Sequence, residues 1–225
     1  MKKLRSERKP VERGGGKILC AGIANRIRRG LYRVRAEVED RWIGGISLEH
    51  GRSTRFPEMG AHATESTNYV WLDRMFHAVP LEAGDVFLDI GCGEGRVLTY
   101  LYLRGFRGPM TGVELDPEVA ATAARRTEDC ANIIIHQGNI LRRPRLLADA
   151  TAVYMFNPFT EEVLEGVADM VEHLIRHPVK VYYCNDLYAG VLDGRKNWTI
   201  LHRDVLDVPS APKSRYTVYR YQPEI

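Results

Sequence analysis

Val86-Phe87-Leu88-Asp89-Ile90-Gly91-Cys92-Gly93-Glu94-Gly95-Arg96-Val97-Leu98 is the stretch on which the reading of this chain turns. Val86 to Ile90 is a short apolar run broken by one acid, the pattern of a buried strand. Glycines follow at every second position, and Val97, Leu98 and Leu101 then open a helical apolar pattern. Glycines at such a junction permit a tight turn and let a ligand approach the backbone closely. The helix start adds free N–H groups and a positive dipole end, which suit an anionic or carboxylate-bearing ligand.

Downstream, strand and helix patterns alternate. Met110 to Leu115 reads as a second strand, and Asp116-Pro117 as a helix start with Asp as N-cap and Pro in the first turn. Ile133 to Ile135 reads as a third strand and Thr151 to Phe156 as a fourth. A helix follows with Val163, Leu164, Val167, Met170, Val171 and Leu174 on one face. Val179 to Cys184 is a fifth strand, and Leu187 to Leu192 a short helix. Trp198 to His202 and Tyr216 to Tyr221 are late strands with no long helix between them, so they are expected to pair antiparallel. The expected fold is α/β, a Rossmann-like, mostly parallel sheet with helices on both faces and a terminal antiparallel strand pair. In such a sheet, ligands bind beyond the carboxyl ends of the strands. Those ends carry Asp89 with the glycines, Glu114, Asn139, Asn157-Pro158 and Asn185-Asp186.

A dinucleotide turn wants a third glycine where Arg96 stands. The pattern D-x-G-x-G-x-G instead resembles motif I of the class I S-adenosylmethionine-dependent methyltransferases, and the resemblance extends over about residues 62 to 185. It implies a seven-stranded sheet, S-adenosyl-L-methionine as cofactor, and transfer of a methyl group to an acceptor left unidentified: a small molecule, a protein side chain or RNA. It places the cofactor on Asp89, Gly91, Cys92, Gly93 and Gly95, and puts the ribose hydroxyls on Glu114, with Leu115 beside it. Asn139 stands where the family often has Asp reading the adenine amino group, and Ile140 could cover the adenine face. Thr67 and Tyr69 resemble the loop that closes over the methionine carboxylate in some family members. Asn157-Pro158-Phe159 resembles the N-P-P-Y motif of enzymes acting on planar nitrogen, with the second Pro missing. It implies Asn157 as a polar contact to substrate or cofactor and Phe159 as a stacking group. The arrangement is most similar to bacterial methyltransferases of unassigned substrate, and more distantly to the non-SET histone lysine methyltransferases.

Methyl transfer from a sulfonium needs no general acid, because the leaving group departs as a neutral thioether. A base is needed only for an oxygen or a protonated amine acceptor. Asp186 and His136 are the candidates. The competing readings are a nicotinamide oxidoreductase and a non-catalytic Rossmann-like protein that engages nucleic acid or a partner.

With 225 residues and 44% hydrophobic content, the chain is long enough for one sizeable core. It divides into a basic flexible tail over residues 1–16, a helical extension and loop over 17–60, and a methyltransferase domain over 61–225. Residues 1–35 carry a net +10 and the remainder −7. Within that basic part Ile23, Ile27, Leu31, Val34, Val38 and Trp42 recur at steps of three or four. Such a helix packs its stripe on the main domain or a second copy, or turns its basic face to nucleic acid, anionic lipid or an acidic partner. The loop over 44–64, with the isolated His50 and His62, reads as a connector or lid, and Ser66 or Thr67 as the cap of the next helix. Four scattered cysteines show no metal spacing, and no apolar run approaches the roughly 18 residues of a membrane span. Reduced thiols and a cytoplasmic location are expected.

Overall fold

The computed structural model describes residues 15–44, 48, 53–60, 65–157, 159–206 and 213–224. The basic tail falls outside these residues except for Gly15 and Gly16, which begin the first helix. His50, His62 and Pro158 also lie outside them.

The described residues form one seven-stranded sheet: β1 (Phe87–Ile90), β2 (Met110–Glu114), β3 (Ile133–Gln137), β4 (Ala152–Phe156), β5 (Val179–Cys184), β6 (Trp198–Leu206) and β7 (Ser214–Tyr221). The order is β3-β2-β1-β4-β5-β7-β6. Strands β1 to β5 pair in parallel and β7 pairs antiparallel with β6, as expected from the sequence, while β7 also runs antiparallel to β5. The winding reverses between β1 and β4, so the crevice for a ligand opens beyond the carboxyl end of β1.

Alternation along the strands supplies two cores. In β4, Tyr154 faces a cluster with Leu72, Leu98, Tyr182 and Tyr216, while Val153 and Met155 face Leu164, Val167, Val171 and Tyr183. The first face is covered by α2 (Tyr69–Ala78) and α3 (Arg96–Leu103). The second is covered by α6 (Glu161–Leu174), whose expected stripe is buried at Leu164, Val167 and Val171. Between them in the chain lie α4 (Pro117–Arg126) and a one-turn α5 (Pro144–Ala148), which the sequence pattern did not suggest. The short helix after β5 is α7 (Gly190–Asp193). Asp116 caps α4 through Glu118 N and Val119 N, as expected. For α2 the cap is Asn68, which accepts from Val70 N at 2.9 Å; neither Ser66 nor Thr67 does this. An Asn at the last extended residue reaches the first free N–H groups directly.

Helix α1 (Gly15–Gly44) inverts the expected packing. Its apolar stripe does not meet the domain: Ile23, Ile27, Leu31, Val34, Val38 and Trp42 are all exposed, Trp42 to 77%. The helix docks through the small Ala36 and the acid Asp40, both fully buried, with the half-buried Tyr32 beside them. A charged residue holds this interface because the domain supplies its partners. Arg96 Nη2 donates to Asp40 Oδ2 at 2.7 Å and Arg96 Nε to Oδ1 at 3.1 Å. Tyr69 Oη donates to Asp40 Oδ1 at 2.7 Å, and Leu48 N donates to Oδ2 at 2.9 Å. Arg126 approaches from α4 at 3.5 Å.

Candidate active site

The glycine turn sits where β1 hands over to α3. Gly91 N and Cys92 N both donate to Val113 O, at 2.8 and 3.1 Å, which fastens the turn to the end of β2. Gly95 then begins α3 with φ +86°, a conformation that side chains with a Cβ rarely adopt. Gly93 N donates to Glu114 Oε2 at 2.9 Å, and Asp116 N donates to Glu114 Oε1 at 2.9 Å. One carboxylate therefore ties the turn to the α4 cap while forming part of the wall of a cleft. Burial raises the Glu114 pKa, partly offset by these backbone donors.

The cleft is lined by Ile90, Gly91, Val113, Glu114, Leu115 and Asp116 from the first two strand ends, and by Gly138, Asn139 and Ile140 after β3. Phe156, Phe159 and Val163 close it on the β4 side. Its remaining wall is the segment Ser53 to Met59 with Glu65, none of which the sequence marked as site residues. That segment is latched: Arg55 forms a bidentate pair with Asp116 and donates to Glu118 Oε1 at 2.8 Å. At its far end Thr160 N donates to Gly60 O at 3.0 Å. The connector expected over 44–64 is thus, in its described part, a strap across the cleft. The Arg55 guanidinium holds the Asp116 carboxyl at about 2, well below its ordinary 3.8. A depressed acid contributes its pairing above the ordinary value and loses it only as pH falls through the depressed one, so the latch stays closed at neutral pH. Arg55→Ala should speed release of a bound ligand from the cleft about tenfold while leaving thermal stability nearly unchanged. Stopped-flow dissociation checks this, and an unchanged release rate would show that the latch is idle.

Not every residue expected at the site is on the cleft wall. Thr67 is buried with its hydroxyl 2.8 Å from Tyr154 Oη, and Tyr69 spends its hydroxyl on Asp40. Both belong to the core and the α1 anchor. Asp186 is 2% exposed and its carboxylate accepts from Arg215 Nε at 2.6 Å and from the Thr217 hydroxyl. It joins β5 to β7, which removes it as a candidate base. His136 is also absent from the wall. Cys92, Gly93 and Gly95 form the turn beneath the cleft, and a thiol as buried as Cys92 is pushed well up in pKa. Asn157 is buried with φ +37° and accepts from Tyr183 Oη at 2.9 Å, while Tyr183 Oη accepts from Tyr188 N at 3.3 Å.

Two observations test whether these residues fit an adenosyl cofactor. Asp89, at the end of β1 beneath the turn, keeps a buried Oδ2 with no hydrogen-bond partner among the described residues. Its pKa is raised well above 3.8 by burial and then by Glu114, and it lies just behind the lining residues Ile90 and Gly91 rather than on the cleft wall. Glu114 accepts from Gly93 N and Asp116 N, with Leu115 N also bearing on it, and a carboxylate has about four acceptor sites, so capacity remains for a ribose hydroxyl. Both fit a ligand that carries an ammonium group and vicinal hydroxyls.

The family model for a methyltransferase domain matches residues 87–177. A Mycobacterium tuberculosis protein named "Putative methyltransferase Rv1506c" is 48% identical over 44 residues, which are 20% of this chain and 26% of that protein. The chain thus matches about a quarter of that relative's length. An RNA methyltransferase from Salinibacter ruber solved with S-adenosyl-L-homocysteine superposes with TM-score 0.53 at 19% identity, over 71% of this chain and 95% of that one. The O-methyltransferase TomG from Streptomyces achromogenes, solved with S-adenosylmethionine, superposes with TM-score 0.58 at 15% identity, over 86% and 90%. These structures share the fold. Residues 87–177 thus match a methyltransferase domain, within a fold shared with methyltransferases solved with their cofactor or its product.

Proposed function

We propose that the protein transfers the methyl group of S-adenosylmethionine to a compact, largely apolar acceptor held in this cleft. The observation that carries the reading is Glu114, which lines the cleft while its carboxylate fastens the glycine turn to the α4 cap. The cofactor supplies an electrophilic methyl on a sulfonium. Glu114 takes the ribose hydroxyls on its remaining acceptor capacity, and Asp89 receives the amino group on Oδ2, directly or through water. Ile140 covers the adenine face. Asn139 Oδ1 already accepts from Leu141 N at 2.9 Å, while its amide N–H groups have no such contact to the backbone turn among the described residues. The second lone pair of the oxygen can accept from the adenine amino group, and the N–H groups can donate to a ring nitrogen.

Phe156, Phe159 and Val163 give the acceptor an apolar wall, and the strap over 53–59 limits its size. The Asn157 oxygen, which in N-P-P-Y enzymes accepts hydrogens from a target amine, here accepts from Tyr183 Oη, and Asn157 is not among the residues of the cleft wall. Nitrogen specificity is therefore not carried over. Glu65 is a further cleft carboxylate, and it can take a proton if the acceptor is an alcohol or a protonated amine. The remaining work is positioning and exclusion of water.

Calorimetric titration of the intact protein with S-adenosyl-L-homocysteine should show one site. A screen of aromatic alcohols and amines with labelled methyl donor should then find turnover. Phe159→Ala should lower kcat/KM for that acceptor by about tenfold or more and leave homocysteine-product binding intact. No heat at any concentration would leave a Rossmann-like binding protein without the reaction.

A further inference from the structure

The outward stripe of α1 serves no purpose in the fold or in the cleft. Ile23, Ile27, Leu31, Val34, Val38 and Trp42 are exposed by 55% or more, on a helix whose opposite face is the one that docks. A continuous apolar surface of this kind marks a docking site. Three features of α1 say what covers it.

The first is periodicity. The stripe steps by 4, 4, 3, 4 and 4 residues. That is an 11-residue pattern, about 3.67 residues per turn, close to the 3.6 of a straight helix. The seam of a two-stranded left-handed coiled coil needs about 3.5. The stripe therefore runs nearly straight for about 28 Å, at 1.5 Å per residue, and matches a flat partner.

Charge is the second. No acid occurs between Glu12 and Glu37, while Arg26 and Arg28 are exposed on the two flanks of the stripe. The acids that follow are already engaged: Glu37 with Arg41 at 2.5 Å, Glu39 with Arg35 at 2.7 Å, and Asp40 with Arg96. A second copy would bring arginines with no acid left to meet them. The third is composition. A nucleic acid would satisfy the arginines but give six apolar side chains nothing to bury against.

We propose that α1 lies in the surface of an anionic lipid bilayer. Its apolar stripe enters the boundary between headgroups and acyl chains, and the flanking Arg26 and Arg28 meet lipid phosphates. Asp40 and Arg96 bolt the helix to α3, so the methyltransferase domain is carried with it. The proposal does not depend on methyl transfer.

The test uses the full chain with vesicles of phosphatidylcholine alone, or with about one third phosphatidylglycerol. Of the three tryptophans, Trp71 and Trp198 are buried, so a blue shift in emission reports Trp42. The anionic vesicles should sediment the protein and shift Trp42, about tenfold more tightly than neutral ones, and less so at high salt. Leu31→Glu, at an exposed position, should keep the circular dichroism and the melting temperature of the wild type and lose vesicle binding. Trp42→Phe should bind and abolish the shift. Vesicle binding by Leu31→Glu equal to wild type overturns the proposal. So does a protein that ignores anionic vesicles, whether it proves to be a dimer broken by Leu31→Glu or binds RNA instead.

Discussion

Asp40→Ala should destabilise the protein by about 3–5 kcal/mol, the usual cost of leaving buried charge without its partner. At the size of this chain that is a fall in melting temperature of roughly 10 °C. The carboxylate is fully buried and serves four groups: Arg96, Arg126, Tyr69 Oη and Leu48 N. Arg96 is 3% exposed, and burial works against its charge. The hydrogen bond and the charge of Asp40 reverse that and raise its pKa. In Arg126 burial wins and the pKa is lowered, so this second guanidinium tolerates the loss of an anion poorly. Arg96 also donates to Thr67 O at 3.2 Å and Ser66 O at 3.4 Å, so its displacement should loosen the approach to α2 as well as α1. Asp40→Asn keeps the volume and one acceptor and should cost less. In a double-mutant cycle, Asp40→Ala with Arg96→Met should recover part of the loss, because an apolar pair of similar volume can replace a buried ion pair. Thermal melts of the four proteins measure this. A melting temperature for Asp40→Ala within two degrees or so of wild type would mean that α1 is not held to the domain this way.

That cluster also shows where sequence reading stops. The strands were legible because burial in a parallel sheet demands continuous apolar runs, and Val86 to Ile90 or Val179 to Cys184 has hardly another solution. The α4 start was legible because Asp116-Pro117 acts on its own neighbours. Arg96 was legible only as a missing glycine. Its partner lies 56 residues upstream, and no local pattern announces an ion pair across that separation. The same is true of Arg55 and Asp116, 61 residues apart, which turn an unremarkable loop into a strap. Residues with hydroxyls and carboxylates misled for a related reason. Thr67, Tyr69 and Asp186 have the right chemistry near the right strand ends, but core neighbours had already claimed their polar atoms. Periodicity found the α1 stripe and could not say which way it faced, since an apolar face reads the same whether it meets the domain or something outside it.

Glu114→Ala should weaken binding of S-adenosyl-L-homocysteine by roughly a hundredfold or more, as two charge-assisted hydrogen bonds of about 1.5–3 kcal/mol each are lost. The alanine also frees Gly93 N and Asp116 N, so part of the loss comes from a slackened turn. Glu114→Gln separates the two effects. It keeps the shape and one acceptor but turns an amide N–H group toward a backbone donor, and should lose at least tenfold. Acidification gives a second test, with opposite signs for two observables. Burial raises the Glu114 pKa above 4.5, so the folded protein holds this proton more tightly than the unfolded chain. Through that one group, the fold gains stability as pH falls from the raised value toward 4.5. Ribose binding at Glu114, as proposed, needs the carboxylate, so affinity should fall over the same window, beginning at a higher pH than for an ordinary glutamate. Calorimetry across that range should show the wild type losing affinity while Glu114→Gln responds less. An Ala variant that binds as the wild type does would place the ribose elsewhere. A loss of affinity that begins only below the ordinary glutamate range would mean that the carboxylate in contact with the ligand is not the buried one.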